Sequence, residues 1–153
     1  MQQLHLNPRT GRGLVLSMTL AAVLAGPASA AETMVSSESV RQNLYSTCFV
    51  NEKVGWAVGD LGRIFYTQDG AKSWRIENAG TKRPFVSVAC ADEKTAWAAG
   101  QAGQIAMTKD GGATWQPLTS GTEKQLLSIA FVDRNVGIAV GDYGTIVRTE
   151  DGG

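Results

Sequence analysis

Gly59, Gly100 and Gly141 stand 41 residues apart, each inside a copy of one phrase: Trp56-Ala57-Val58-Gly59-Asp60-Leu61-Gly62, Trp97-Ala98-Ala99-Gly100-Gln101-Ala102-Gly103 and Ile138-Ala139-Val140-Gly141-Asp142-Tyr143-Gly144. A period kept through turn glycines, apolar strands and aromatic anchors restricts the chain to a repeat architecture. Each unit is then one supersecondary element that buries its apolar face only against a neighbour.

Within the period, four short strands are legible. Alternation puts Leu127, Ile129 and Phe131 on one face of a first strand, with counterparts at 45–50 and 85–91. A polar turn leads into the Trp-Ala-Val-Gly strand, and a tight Gly-Asp-x-Gly turn into a third strand at 63–67. Gly62, Gly103 and Gly144 are expected to supply the positive φ of that hairpin turn. Next comes the Asp-box, Ser/Thr-x-Asp-x-Gly-x-Thr-Trp. Thr108, Asp110, Gly112, Thr114 and Trp115 match it throughout, with Gly111 beside them. Thr67, Asp69, Gly70, Ser73 and Trp74 form a relaxed copy with Ala71 in the glycine place, and Thr149, Asp151, Gly152 and Gly153 begin a third. The expected role is structural: the carboxylate accepts backbone N–H groups across the turn, and the indole wedges between sheets. A calcium loop would need a run of oxygen ligands, whereas each copy has one carboxylate followed by glycine. Asp60 and Asp142 likewise read as turn residues.

The first thirty residues stand outside the repeat. Arg9 and Arg12 form a basic leader, 14–25 an apolar run too short to span a bilayer, and Ala28-Ser29-Ala30 a small-residue cleavage site. Residues 1–30 therefore read as a signal peptide, 31–43 as a lead-in, and 44–84, 85–125 and 126–153 as repeat units, the last incomplete. An exported product with no direct membrane insertion after cleavage is expected. The leader holds two of the 14 basic residues and none of the 14 acidic ones, leaving 12 against 14 and a net charge of −2, so no nucleic acid is expected as partner. His5, the one histidine, also lies in the leader. The remainder cannot build a Ser-His or Cys-His nucleophile or a His-ligated metal site, and no catalytic residue, metal or cofactor is assigned.

Cys48 and Cys90 would meet an oxidising compartment, which suggests a disulfide. The register argues otherwise. Their separation of 42 exceeds the period by one, so Cys90 takes the slot of Phe49 and Phe131 while Cys48 matches Ala89 and Ala130. Neighbouring strand positions point to opposite faces, and the expectation is two separately buried thiols.

Four strands per unit of about 40 residues with aromatic anchors predict an all-β fold, a β-propeller of four-stranded blades, with about three blades in this chain. A closed ring of 4–8 blades at this period needs roughly 160 to 330 residues, so the expectation is an N-terminal part of a longer product. From Leu44 to Gly153 the combination of Trp-Ala-Val-Gly-Asp-x-Gly with the Asp-box resembles the photosystem II stability and assembly factor family. The resemblance implies a non-enzymatic exported propeller, in the thylakoid lumen or periplasm, that binds a reaction-centre precursor as its membrane-protein client. The candidate partner-binding residues are Arg41, Lys82, Arg83 and Lys124, at nearly equivalent places before each first strand, and Arg63, which Gln104 and Thr145 replace in later units. Two alternatives use the same scaffold. A sialidase-type glycosidase would need an arginine triad, a Tyr with a supporting Glu, and a further acid; Tyr45, Tyr66 and Tyr143 and Glu52, Glu77 and Glu123 fall at scattered points of the repeat. A carbohydrate-binding surface module would use exposed Trp56 and Trp97, but Ile138 in the same slot favours packing.

Overall fold

Among the residues that the computed structural model describes, 34–36 (backbone only) and 42–153, the regular elements are short strands and three single-turn 3-10 segments. The strands are β1 (Met34–Ser36), β2 (Leu44–Phe49), β3 (Gly55–Gly59), β4 (Arg63–Thr67), β5 (Ser73–Asn78), β6 (Phe85–Cys90), β7 (Ala96–Gly100), β8 (Ile105–Thr108), β9 (Gln116–Leu118), β10 (Leu126–Phe131), β11 (Gly137–Gly141) and β12 (Thr145–Thr149). They form three antiparallel sheets in the orders β1-β5-β4-β3-β2, β6-β7-β8-β9 and β10-β11-β12. The second sheet has the expected four strands. The first has five, because the edge of β5 offers unpaired backbone groups that Met34–Ser36 takes up, Met34 opposite Arg75. The signal-peptide expectation at 1–30 lies outside the described residues.

The sheets stack face to face as propeller blades do. Their first strands stand side by side, where the Val88 N–H donates to Ser46 Oγ at 3.3 Å and the Ile129 N–H to Ser87 Oγ at 3.1 Å. At the first junction Trp56, Val58, Ile64 and Tyr66 meet Phe85, Val88, Ala98, Ala106 and Trp115. At the second, Ala89, Trp97, Ala99 and Met107 meet Leu126, Ile129 and Ala139. Alanines on one wall make room for rings from the other: Trp56 and Trp97 are fully buried. Neither indole is open to stack on a sugar, so the carbohydrate-surface reading loses its aromatic platform.

The glycine that marks the period is required by space. Gly59, Gly100 and Gly141 have extended backbones, but a Cβ there would lie 2.0, 2.2 and 2.0 Å from the carbonyl oxygens of Asn43, Pro84 and Gln125. Those carbonyls accept the N–H groups of Asp60, Gln101 and Asp142, which ties each hairpin to the loop before its sheet. The turn beyond is a two-residue hairpin loop with both central residues left-handed, Leu61-Gly62, Ala102-Gly103 and Tyr143-Gly144. The second of each pair is the expected glycine; the first is not, and a left-handed L-residue costs about 1–2 kcal/mol.

The expectation of two free thiols is overturned. Cys48 and Cys90 form a disulfide with a Cα–Cα distance of 6.0 Å, joining the first strands of the first and second sheets. Opposite orientation within the repeat is what the bridge needs, because adjacent sheets meet through opposite faces. A residue facing forward from the first sheet therefore meets one facing backward from the second, at the period plus one. The same offset of 42 recurs in Ser46 with Val88, Ser87 with Ile129, Asn51 Nδ2 donating to Glu93 Oε1 at 2.8 Å, and Arg134 Nε donating to Asp92 Oδ2 at 2.6 Å. Across its own sheet Cys90 faces Ala96, whereas Phe49 and Phe131 face Gly55 and Gly137, whose Cβ positions the phenyl rings occupy. The smaller residue at 90 leaves room for the bridge.

Candidate functional site

The first two Asp-boxes close their turns in one pattern, and the third shares with them the bond from the Thr hydroxyl to the Asp carboxylate. Asp69 accepts from the N–H groups of Lys72 and Ser73 at 3.0 and 2.9 Å and from the hydroxyls of Thr67 and Ser73 at 2.9 and 2.6 Å. Thr67 Oγ1 in turn accepts the Ala71 N–H at 3.0 Å. Asp110 accepts from the Thr114 N–H and from the Thr108 and Thr114 hydroxyls, and Thr108 Oγ1 accepts from Gly112. Asp151 accepts from the Thr149 hydroxyl and the Gly153 N–H. Gly70, Gly111 and Gly152 are left-handed, as is Ala71, where the box has glycine. The Ser73 bonds lead in holding the Asp69 carboxyl down at about 2, with Thr67 and Lys72 adding to them. At Asp110 desolvation opposes the shift, but the Thr114 and Thr108 bonds outweigh it and the carboxyl is lowered. Every lone pair of these carboxylates that is accounted for faces the turn.

The second box docks on the first sheet through Arg75 and Glu77, which have no counterpart elsewhere in the repeat. Trp115 Nε1 donates to Glu77 Oε2 at 2.8 Å, and Arg75 Nη2 donates to Glu77 Oε1 and to the Gly111 carbonyl, both at 2.7 Å. The Arg75 guanidinium lies 4.6 Å from the centre of the Tyr66 ring. One period on, Gln116 and Leu118 replace Arg75 and Glu77, and there the Gly152 carbonyl accepts from Trp97 Nε1 at 2.9 Å. Arg75 has taken the equivalent carbonyl at the first junction, and Trp56 Nε1 is buried without a hydrogen-bond partner. Sequence reasoning passed over this clasp because it reads repeats by what they share; the break at 75 and 77 was the available signal.

Burial pushes the Glu77 carboxyl up to about 7, and Asp110 adds to that, against the pull of Arg75 and Trp115. A carboxyl whose folded pKa exceeds its unfolded value of 4.5 contributes stability that is present below 4.5 and lost as the pH rises through 7. The lone histidine is His5, and the shifted aspartates all titrate lower, so the window between is dominated by Glu77. Melting temperature is expected to fall from pH 5 to pH 8 in thermal scans, and Glu77→Gln to flatten that slope.

Of the five candidate partner-binding residues, Arg41 lies outside the described residues. Arg63 and Lys82 come together in a groove of about 640 Å³, lined also by Leu61, Ile76, Glu77 and Asn78. Arg83 is exposed on the same loop as Lys82, with its carbonyl held by Gln104 Nε2. Lys124 lies outside this groove, in the β9–β10 loop, its Nζ 4.9 Å from the centre of the Tyr143 ring, which is 90% exposed at the tip of the third sheet's left-handed turn. The residues a sialidase-type site would recruit are dispersed. Tyr45 donates to Asp60 at 2.6 Å, Tyr66 lies under Arg75, Tyr143 is at a loop tip, and Glu77 is committed to Trp115. Among the described residues no helix is long and apolar enough to cross a membrane.

Comparison with known proteins agrees with this geometry. No curated protein matches the sequence. Among solved structures, "YCF48 bound to D1 peptide" superposes with a TM-score of 0.68 at 21% identity, covering 88% of this chain and 44% of that one. YCF48 from Cyanidioschyzon merolae superposes at 0.65 with 24% identity, covering 75% and 39%. The chain thus spans less than half the length of either structure, with which it shares the propeller fold. The profile of the family described as "Photosynthesis system II assembly factor YCF48" matches residues 29–121, more than half of the sequence, and the chain belongs to that family.

Proposed function

We propose that this protein is a non-enzymatic scaffold that binds a membrane-protein client during photosystem II assembly, through the groove between Arg63 and Lys82. The convergence of those two cations from β4 and the β5–β6 loop is the observation that carries the reading. The groove joins positive charge to apolar walls, Leu61 and Ile76, which suits an acidic segment with apolar side chains. Arg83, exposed on the same loop as Lys82, extends the cationic rim. Leu61 and Tyr143 are held exposed on left-handed backbone, an arrangement whose cost is accepted where side chains must face outward for contact. The related YCF48 was solved with a D1 peptide, which makes a reaction-centre segment the first client to try. The leader at 1–30 and the disulfide suit an exported protein in the periplasm, or the thylakoid lumen of a photosynthetic cell. Among the described residues the tyrosines and acids that a glycosidase would recruit are dispersed, and the binding reading is the one we adopt.

The test is a fluorescence titration of labelled D1 peptide against the wild-type chain and Arg63→Ala/Lys82→Ala. Loss of two charge-assisted contacts is expected to weaken binding about tenfold or more, and raising the salt to weaken the wild type in the same direction. Equal affinity of the two proteins would remove the groove from the interface.

A further inference from the structure

We propose that the Gly111 carbonyl is the shared acceptor of a proton-driven hydrogen-bond exchange at the first junction: with Glu77 ionised Arg75 holds it, and with Glu77 protonated the indole N–H of Trp56 takes it. The exchange is independent of the client-binding groove.

Two junctions built from the same repeat positions make the comparison. At the second, Trp97 Nε1 donates to the Gly152 carbonyl at 2.9 Å. Trp56 and Gly111 stand in those places one period earlier, and both indoles are fully buried. Yet Trp56 Nε1 has no hydrogen-bond partner among the described residues. The carbonyl that it would use is occupied. Arg75 Nη2 donates to Gly111 O and to Glu77 Oε1, both at 2.7 Å, with its guanidinium over the Tyr66 ring. One period on, Gln116, Leu118 and Met107 replace Arg75, Glu77 and Tyr66, and the carbonyl goes to the tryptophan. A buried N–H without a partner costs at least as much as a neutral hydrogen bond gains. The first junction therefore carries an unmade bond, kept open by an ion pair.

The charge on Glu77 decides which donor wins. While the carboxylate is ionised, its charge-assisted bond fixes Arg75 across the junction and outweighs a neutral indole–carbonyl bond. Protonation removes that advantage and leaves the guanidinium uncompensated in a mostly buried site, a position that favours its turning to solvent. The Gly111 carbonyl is then open to Trp56. Around Glu77 stand Arg75 on its own strand, Trp115 and Asp110 from the second box, and Arg63 and Lys82 along the groove that Glu77 borders. Asp110 is lowered by its box donors, whereas burial holds the Glu77 carboxyl at about 7, so the exchange follows Glu77. On the acid side the junction is closed by neutral bonds and Arg75 becomes a surface cation; on the alkaline side the ion pair is restored and Trp56 is left without an acceptor.

The test follows the four indole N–H signals of the 153-residue chain by proton–nitrogen NMR from pH 8 to pH 5, beside the Glu77 carboxyl carbon. The Trp56 signal is expected to move downfield toward that of Trp97 with a midpoint near 7, shared with Glu77, while Trp97 stays in place. Solvent exchange of the Trp56 indole proton, taken relative to Trp97 at each pH, is expected to slow about tenfold or more on the acid side. Glu77→Gln and Arg75→Gln, the second copying the residue at 116, are each expected to hold Trp56 in the bonded position at every pH. A Trp56 signal that stays in place while Glu77 titrates would overturn the exchange. So would a Glu77 carboxyl that does not titrate in this range, or a Trp56 movement that survives in Arg75→Gln. Should either variant fail to fold, the wild-type exchange ratio decides: a ratio that is constant from pH 8 to pH 5 sinks the proposal.

Discussion

Removing the Cys48–Cys90 bridge is expected to lower the free energy of unfolding by about 4 kcal/mol, the chain-entropy value for a closed loop of this length. The bridge acts mainly on the unfolded chain, which it keeps from separating β2 from β6. In the folded state the two strands are already joined by the Ser46 bond and a common core. The measurement is urea denaturation of the wild type with and without reductant, beside Cys48→Ser/Cys90→Ser. Reduced wild type and double variant should share a midpoint well below that of the oxidised protein, with a steeper denaturant dependence for the more expanded unfolded chain. No single inter-sheet hydrogen bond has an effect of that size, since each contributes about 1 kcal/mol net. Coincident midpoints in oxidising and reducing buffer would mean that the bridge is absent from the folded protein in solution.

How far this bridge escaped the sequence marks the boundary of what a repeat reveals. Positions within one unit are legible because their causes are local: the carbonyl contact at Gly59, the left-handed turn at Gly62, the hydroxyl and amide donors around Asp110. Relations between units follow a different rule. Because adjacent sheets meet through opposite faces, contacts recur at 42 and not at 41, and a parity argument framed inside one sheet gives the wrong sign for Cys48 and Cys90. The groove was half legible. Arg63 and Lys82 are visible as charges, but their approach depends on β4 and the β5–β6 loop flanking one edge of the first sheet. Arg75 and Glu77 were the hardest to see, being the positions where the period is broken.

That break is also where the largest side-chain effect is expected. Trp115→Ala removes a buried indole, a cost of about 3–5 kcal/mol from lost packing and residual cavity. It also leaves Glu77 without the indole donor, which raises the penalty of keeping the carboxylate in a buried site. The two contributions separate in Trp115→Phe, which restores most of the ring and no N–H, and is expected to cost about 1–3 kcal/mol. If the indole N–H acts through Glu77, that cost should shrink in the Glu77→Gln background, and it should shrink at pH 5, where the carboxyl of a group with a folded pKa of about 7 is already protonated. Trp74→Ala supplies the comparison: its ring packs with Ala57, Phe65 and Phe49, so its loss should carry the cavity cost without the pH dependence. Equal pH profiles for the Trp115 and Trp74 variants would show that the second box is held by packing alone and that the Arg75–Glu77 clasp is incidental to it.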